Sequence, residues 1–291
     1  MSVQIELLAK HRLGEILGRV PLVADIYAKI GWSPRMNFFF GAYQSFKMAA
    51  DAARKYKPVG WDNAEIAHNV VDRPHIAPGA ARPLAADSFQ PCHYAATFWL
   101  SKIIDGSSRI VDLGGGGGTS YEIFEAYCGL PSGAAWQVVD EPAMVALGRA
   151  RHAALGSRAI RFEDHIDPAE TCDVLLISGC IQYLEDPLGE QTPGAGVIEA
   201  FAERPRHVLI NKVPLRDGSD IWTLQNLGPT ATPYRVFSQD DLLCYFESRG
   251  YRLKDSWVVA EIGVEIPFHP KYSISTMSGL LFERTPEPAA A

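Results

Sequence analysis

The chain has 291 residues, of which 47% are hydrophobic, and a formal net charge of −7. This length and apolar share provide for a large core and exclude global disorder. The charge is uneven: residues 1–100 hold 11 Lys and Arg against 8 Asp and Glu, and residues 101–291 hold 16 against 26. An acidic main part lacks the basic footprint that nucleic acid requires, which argues against that substrate. The five cysteines, Cys92, Cys128, Cys172, Cys180 and Cys244, are odd in number and form no C-x-x-C pair. They fit a reduced, cytoplasmic protein better than a disulfide framework or a zinc site. The first residues show no signal-peptide pattern, and no apolar run approaches a membrane span. The change of sign supports a boundary near residue 100, and the expected organisation is a helical cap over residues 1–100, a main domain over 101–285 and a disordered tail over 286–291.

In chain order, Leu13, Ile16, Leu17 and Val20 recur at helical spacing, and after Pro21 the stripe resumes with Leu22, Val23, Ile26 and Ile30. Lys10, Arg12 and Arg19 would suit a peripheral membrane contact. Glu6, Glu15 and Asp25 dilute that charge and favour packed cap helices. Asp62-x-x-Glu65 reads as a capping box opening a helix through Val71, and Pro74–Pro83 as a loop. Phe89, His93, Ala96, Leu100 and Ile104 mark one face of a further helix. Ile110 and Val111 then end a buried strand, with Asp112 at its carboxyl end. Gly114, Gly116 and Gly118 make a tight turn into a helix running to Tyr127.

Strands and helices alternate from there. Strands are expected at Trp136–Val139, Ile160–Phe162, Val174–Ser178 and His207–Val213. Helices are expected from Pro142 to Leu155, around Ile198–Phe201, and from a Ser238 cap to a stop at Gly250. Tyr251–Val259 and Ser273–Phe282 follow without a helical crossover and predict an antiparallel pair at the sheet edge. The expected fold is α/β: a Rossmann-like, seven-stranded, mostly parallel sheet with that edge pair.

Two ligand classes compete for the glycine turn. A dinucleotide would set its pyrophosphate on the helix N-terminus. Asp112 would crowd that group, whereas it favours a cationic amine or sulfonium, and S-adenosylmethionine carries both. Asp140 ends the second strand, where a carboxylate accepts from ribose hydroxyls, with Glu141 beside it. Glu163 and Asp164 end the third strand, where an acid accepts from an adenine amine or simply faces solvent. Ser178 and Gly179, with Gln182 and Tyr183 after them, form the lip where ligand and substrate would meet.

Three blocks, Asp112-Leu-Gly-Gly-Gly-Gly-Gly, Trp136-Gln-Val-Val-Asp140-Glu-Pro142 and Ile181-Gln-Tyr-Leu-Glu-Asp-Pro187, resemble a family of S-adenosylmethionine-dependent methyltransferases often found among bacterial surface-polysaccharide genes. The resemblance extends to Gly41-Ala-Tyr43-Gln-Ser-Phe46 and Tyr234-Arg-Val-Phe-Ser238. It implies the class I methyltransferase fold and cofactor, and little about the acceptor. The chain departs from the pattern in having Asp140 where Glu is usual, and in the length of its glycine run.

Methyl transfer asks for in-line alignment of a nucleophile, and a hydroxyl acceptor also asks for a base. The candidate groups are His93, Tyr183, Lys212 and Tyr234. His93 reads equally as a core histidine on the Phe89–Leu100 face. Lys212 reads as a group orienting an anionic or sugar acceptor, or as a solvated side chain, and both tyrosines also as packing. No metal-ligand cluster is apparent. The expected function is O-methylation of a small molecule or saccharide. Its alternatives are a cofactor-binding scaffold without turnover and an NAD(P)-dependent enzyme acting on nucleotide sugars.

Overall fold

The computed structural model describes residues 38–71 and 91–285. The amphipathic stripe from Leu13 to Ile30, the Pro74–Pro83 loop, Phe89 and the tail 286–291 lie outside the described residues. The first elements are β1 (Phe38–Tyr43), α1 (Phe46–Ala53), α2 (Ala64–Val71) and α3 (Tyr94–Ile103), the last entered through a 3-10 turn at Pro91–His93. The alternating part holds β2 (Arg109–Leu113), α4 (Thr119–Tyr127), β3 (Ala135–Val139), α5 (Pro142–Leu155), β4 (Ile160–Glu163), β5 (Val174–Ser178) and β6 (His207–Val213). Then come β7 (Leu215–Arg216), β8 (Ile221–Asn226), β9 (Ala231–Ser238), α6 (Gln239–Glu247), β10 (Tyr251–Val259) and β11 (Met277–Arg284).

The main sheet has seven strands in the order β10-β11-β6-β5-β2-β3-β4. β2, β3, β4, β5 and β6 pair in parallel, and β11 runs antiparallel between β6 and β10. This is the Rossmann-like sheet with an antiparallel edge pair that the sequence predicts. Its central strands are apolar on both sides because both sides are covered. Leu175 and Ile177 of β5 pack with Leu242 and Phe246 of α6, while Val174 and Leu176 pack with Leu100 of α3, Phe124 of α4 and Val145 of α5. Pro142 opens α5, and Gly156 closes it in the left-handed conformation. Ser238 Oγ accepts from Asp241 N at 3.2 Å and starts α6.

Four expectations are corrected. The described part of residues 1–100 is not helical throughout: β1 joins a second sheet of order β1-β8-β9-β7, whose other strands come from between β6 and α6. On one face of that sheet Trp222, Leu224 and Ala231 meet Ala49 and Ala53 of α1. Ile198–Phe201 is a series of turns, not a helix, although Val197, Ile198 and Phe201 are buried. The Glu199 carboxylate there is held by the Tyr245 hydroxyl of α6 and by Arg249 just after it, contacts that favour turns over helical periodicity. The N-cap of α2 is Asn63, whose Oδ1 accepts from Glu65 N and Ile66 N. Asp62 instead accepts from Ala143 N in the first turn of α5 at 3.2 Å. Finally, the last strand begins at Met277 rather than Ser273, because Ser273 Oγ is engaged by Ile266 N at 2.8 Å. Among the described residues no helix is long and apolar enough to cross a membrane.

Candidate functional site

Asp112 is 0% exposed and lies beneath the glycine turn. One oxygen, Oδ2, accepts from Trp136 Nε1 at 3.3 Å, and Oδ1 has no hydrogen-bond partner. Burial pushes this carboxyl up to about 7; the Trp136 N–H pulls it down and Asp140 adds to the rise. A buried carboxylate oxygen without a partner is costly unless a donor arrives.

The turn above it is tightly enclosed. Gly114 N donates to Val139 O at 2.8 Å, and Gly116 N donates to Asp140 Oδ2 at 2.7 Å. The two glycines that lengthen the run also have a reason. A Cβ on Gly115 would lie 2.7 Å from Asp112 Cγ, and one on Gly117 3.0 Å from Val71 Cγ1 of α2. The run is long because the buried acid presses on the turn from below and α2 covers it from outside.

Asp140 is not an open acceptor. Besides Gly116 N it takes Glu141 N on Oδ1 at 2.7 Å, and burial still raises its carboxyl. It therefore ties the end of β3 to the turn. Glu141 is the more exposed neighbour, and its carboxyl is raised by burial, then by Asp140 and Asp62.

A cavity of about 650 Å³ opens here. It brings together Gly114, Gly116, Asp140, Glu141, Asp164 and Gly179 from the predicted set, with Tyr183 on its far side. Asp112, Gly118, Glu163 and Ser178 do not line it, nor do His93, Lys212 and Tyr234. Glu163 is turned to Arg149, 2.8 Å from its Nη2. Asp164 accepts from His165 Nδ1 at 2.7 Å, a bond that holds its carboxyl low. Ser178 Oγ sits 3.4 Å from Asn211 Nδ2, which also donates to Cys92 O at 2.9 Å. His93 is buried at the entry to α3, beside that Cys92 carbonyl.

Tyr183 Oη donates to Gln225 Oε1 at 2.7 Å, and burial raises its phenol above the ordinary range. It is a fixed donor and an aromatic wall, not a base. Tyr234 lies behind it, fully buried, with edge contacts to Tyr183 at 5.2 Å and Phe39 at 4.9 Å. Phe46 and Trp61 from the N-terminal region and Thr232 and Pro233 from β9 complete the wall. Of these four only Phe46 was touched on in the sequence, at the end of the Gly41–Phe46 block, and none of them was given a place in a pocket. His152 was also missed. Its Nε2 lies 3.0 Å from Gly117 O and its Nδ1 3.1 Å from Ser157 Oγ; burial lowers its pKa, so a neutral ring donating from Nε2 clamps the turn. Its place on the α5 face under the glycines carries no periodic signal.

The arrangement offers side-chain-free glycine backbone and several carboxylates on one side of a cavity and aromatic faces on the other. Among the described residues no three His, Cys, Asp or Glu side chains gather as a metal site. No family model and no curated protein matches the chain. Among solved structures it is similar to an N1-methyltransferase from Burkholderia thailandensis, crystallised with 1,6-didemethyltoxoflavin and S-adenosylhomocysteine. That match has 20% identity and a TM-score of 0.46, over 67% of this chain and 79% of that one. A methyltransferase from Streptomyces caelestis is similar at 12% identity and a TM-score of 0.48, over 78% of this chain and 98% of that one. An O-methyltransferase from neocarzinostatin biosynthesis, with S-adenosylhomocysteine and 1,4-dihydroxy-2-naphthoic acid bound, is similar at 16% identity and a TM-score of 0.41, over 66% and 52% of the two chains.

Proposed function

We propose that the protein is an S-adenosylmethionine-dependent methyltransferase acting on a small molecule or saccharide, with a hydroxyl as acceptor. The observation that carries the reading is the fully buried Asp112, with an oxygen lacking a partner, under a turn that only glycines can form. Such an acid repels a pyrophosphate and suits an ammonium. The residues fit the cofactor: Asp112 beneath the turn would be the acid for its amino group, the side-chain-free glycine turn would let its sugar approach closely, and Glu141 and Asp164 would be the rim acids for ribose and adenine. When bound, the cofactor supplies an electrophilic methyl group that needs no further activation.

The protein's part is placement. Phe46, Trp61, Tyr183, Thr232 and Pro233 form an acceptor wall, in which Tyr183 is fixed by Gln225. The rigid wall excludes water and orients an acceptor that presents a flat or ring-shaped face. Of the four groups considered for catalysis in the sequence, Tyr183 is the one that lines the cavity. The three sequence blocks support the same class, and five free cysteines support a cytoplasmic setting.

Calorimetric titration with S-adenosylhomocysteine and, separately, NAD(P) tests the assignment. Micromolar binding of the first and none of the second is expected; the reverse would overturn it. Transfer of labelled methyl to hydroxylated small molecules and saccharides then tests turnover. Replacing Asp140 by Ala frees both Gly116 N and Glu141 N, and is expected to weaken S-adenosylhomocysteine binding by about 1–3 kcal/mol. Unchanged affinity by calorimetry would remove Asp140 from the support of the turn.

A further inference from the structure

Lys212 follows Asn211 near the end of β6, and its backbone is left-handed at φ 58. That conformation is costly for a side chain other than glycine and persists where the surroundings enforce it. Here it swings the side chain toward the end of β5. The Cε and Nζ atoms lie 3.3 and 3.7 Å from where a Cβ on Gly179 would sit, and Gly179 lines the cavity. Burial lowers the pKa of this amine. Among the described residues no carboxylate lies within 4.0 Å of Nζ and no acceptor within hydrogen-bonding distance. The Cys92 thiol is its neighbour, but burial raises that group, which stays neutral.

The other charge facing Lys212 is Asp112, whose Oδ1 also lacks a partner. β5 pairs with β2 on one side and β6 on the other, so the acid and the amine flank the end of β5. Asp112 thus keeps one buried oxygen without a partner, while Lys212 is only partly buried and its amine is left open to a ligand. A ligand that carries an ammonium and a carboxylate on one carbon satisfies both.

We propose that Asp112 and Lys212 together recognise an α-amino-acid zwitterion, with Lys212 holding the carboxylate of the cofactor's amino-acid end. The assignment rests on the cofactor reading above and gives Lys212 a role on the cofactor side rather than the acceptor side. Gly179 lines the cavity and lies against the Lys212 side chain, so a carboxylate seated there approaches the amine.

The test compares S-adenosylmethionine with its decarboxylated form, which differs only in that carboxylate, by calorimetry on the full chain. The wild-type protein is expected to bind the decarboxylated form about tenfold or more weakly, as the loss of a charge-assisted hydrogen bond requires. Equal wild-type affinities would overturn the proposal without any variant. Lys212→Asn, a residue that tolerates the left-handed backbone, is expected to remove that preference while leaving the decarboxylated ligand within about twofold. A variant that loses both ligands equally, with its melting temperature unchanged, would also overturn it. A wild-type protein that binds neither ligand refutes the cofactor reading itself, and this inference with it.

Discussion

Replacing Gly118 by Ala is expected to lower the stability of the fold by about 2–5 kcal/mol. Gly118 precedes α4 at φ 90, a conformation an alanine adopts only under strain. Its Cβ would also lie 2.8 Å from His152 Nε2 and 2.9 Å from Ile160 Cδ1. Neither neighbour is free to give way, because His152 holds the Gly117 carbonyl and Ile160 is packed in the core. The two costs can be separated at the opposite end of the same helix. Gly129 follows α4 at φ 74, but a Cβ there would meet nothing within 4 Å. Gly129→Ala therefore carries the backbone strain alone, about 1–2 kcal/mol. Thermal melts of the two variants are expected to differ by about 5–10 °C. Equal melting temperatures would show that His152 and Ile160 do not confine the turn.

The affinity for S-adenosylhomocysteine is expected to rise with pH between about 5.5 and 7, and to fall again above about 8 as the ligand's own amine loses its proton. The cause of the rise is Asp112, which burial pushes up to about 7. The ligand's ammonium pairs with the ionised form, so apparent affinity scales with the ionised fraction. That fraction falls about tenfold per pH unit below the pKa. Asp140 and Lys212 face the same carboxyl with opposite sign, and the Trp136 N–H and Ser120 hydroxyl steady its charged form. For stability without ligand the sign is reversed. A carboxyl whose pKa is higher folded than unfolded binds more protons when folded, so stability declines as pH rises from about 4 to about 7. Asp112→Asn is expected to abolish both slopes at once. Calorimetry and melting curves at three pH values would decide; an Asn variant that keeps the binding slope would place the titration elsewhere.

Much of the main sheet is legible because its signals are local. Val174–Ser178, His207–Val213 and Tyr251–Val259 are strands over the residues that their composition indicates, and Ser238 caps the helix after it as its type suggests. The carboxylate before the glycines and the one after β3 are likewise visible as positions at strand ends. Their actual contacts are not. Asp140 is directed to Gly116 N, and Asp62 serves a helix 80 residues further on; both are decided by packing. The second sheet was unreadable for a different reason. Every residue of β8 and β9 is buried, so neither shows a two-residue alternation, and several are polar. Arg235 sits in the middle of β9 because it is paired with Asp220 and Glu190, partners that no spacing rule connects. The aromatic wall of the cavity belongs in part to this region, which is why the glycine turn and its acids could be anticipated and the opposite wall could not.

The pairing of β1 with β8 has a consequence for how the molecule is made. Phe38-Phe-Phe-Gly-Ala-Tyr43 finds its partner strand only after the whole parallel half of the main sheet has been synthesised. Contacts between such distant segments form slowly, since a long loop must close first. During that interval an aromatic strand waits with an open edge, the kind of segment on which chains stick to one another. The aromatic wall of the cavity is thus among the last parts to close, and the yield of folded protein is expected to depend on keeping that hexapeptide apart from its copies.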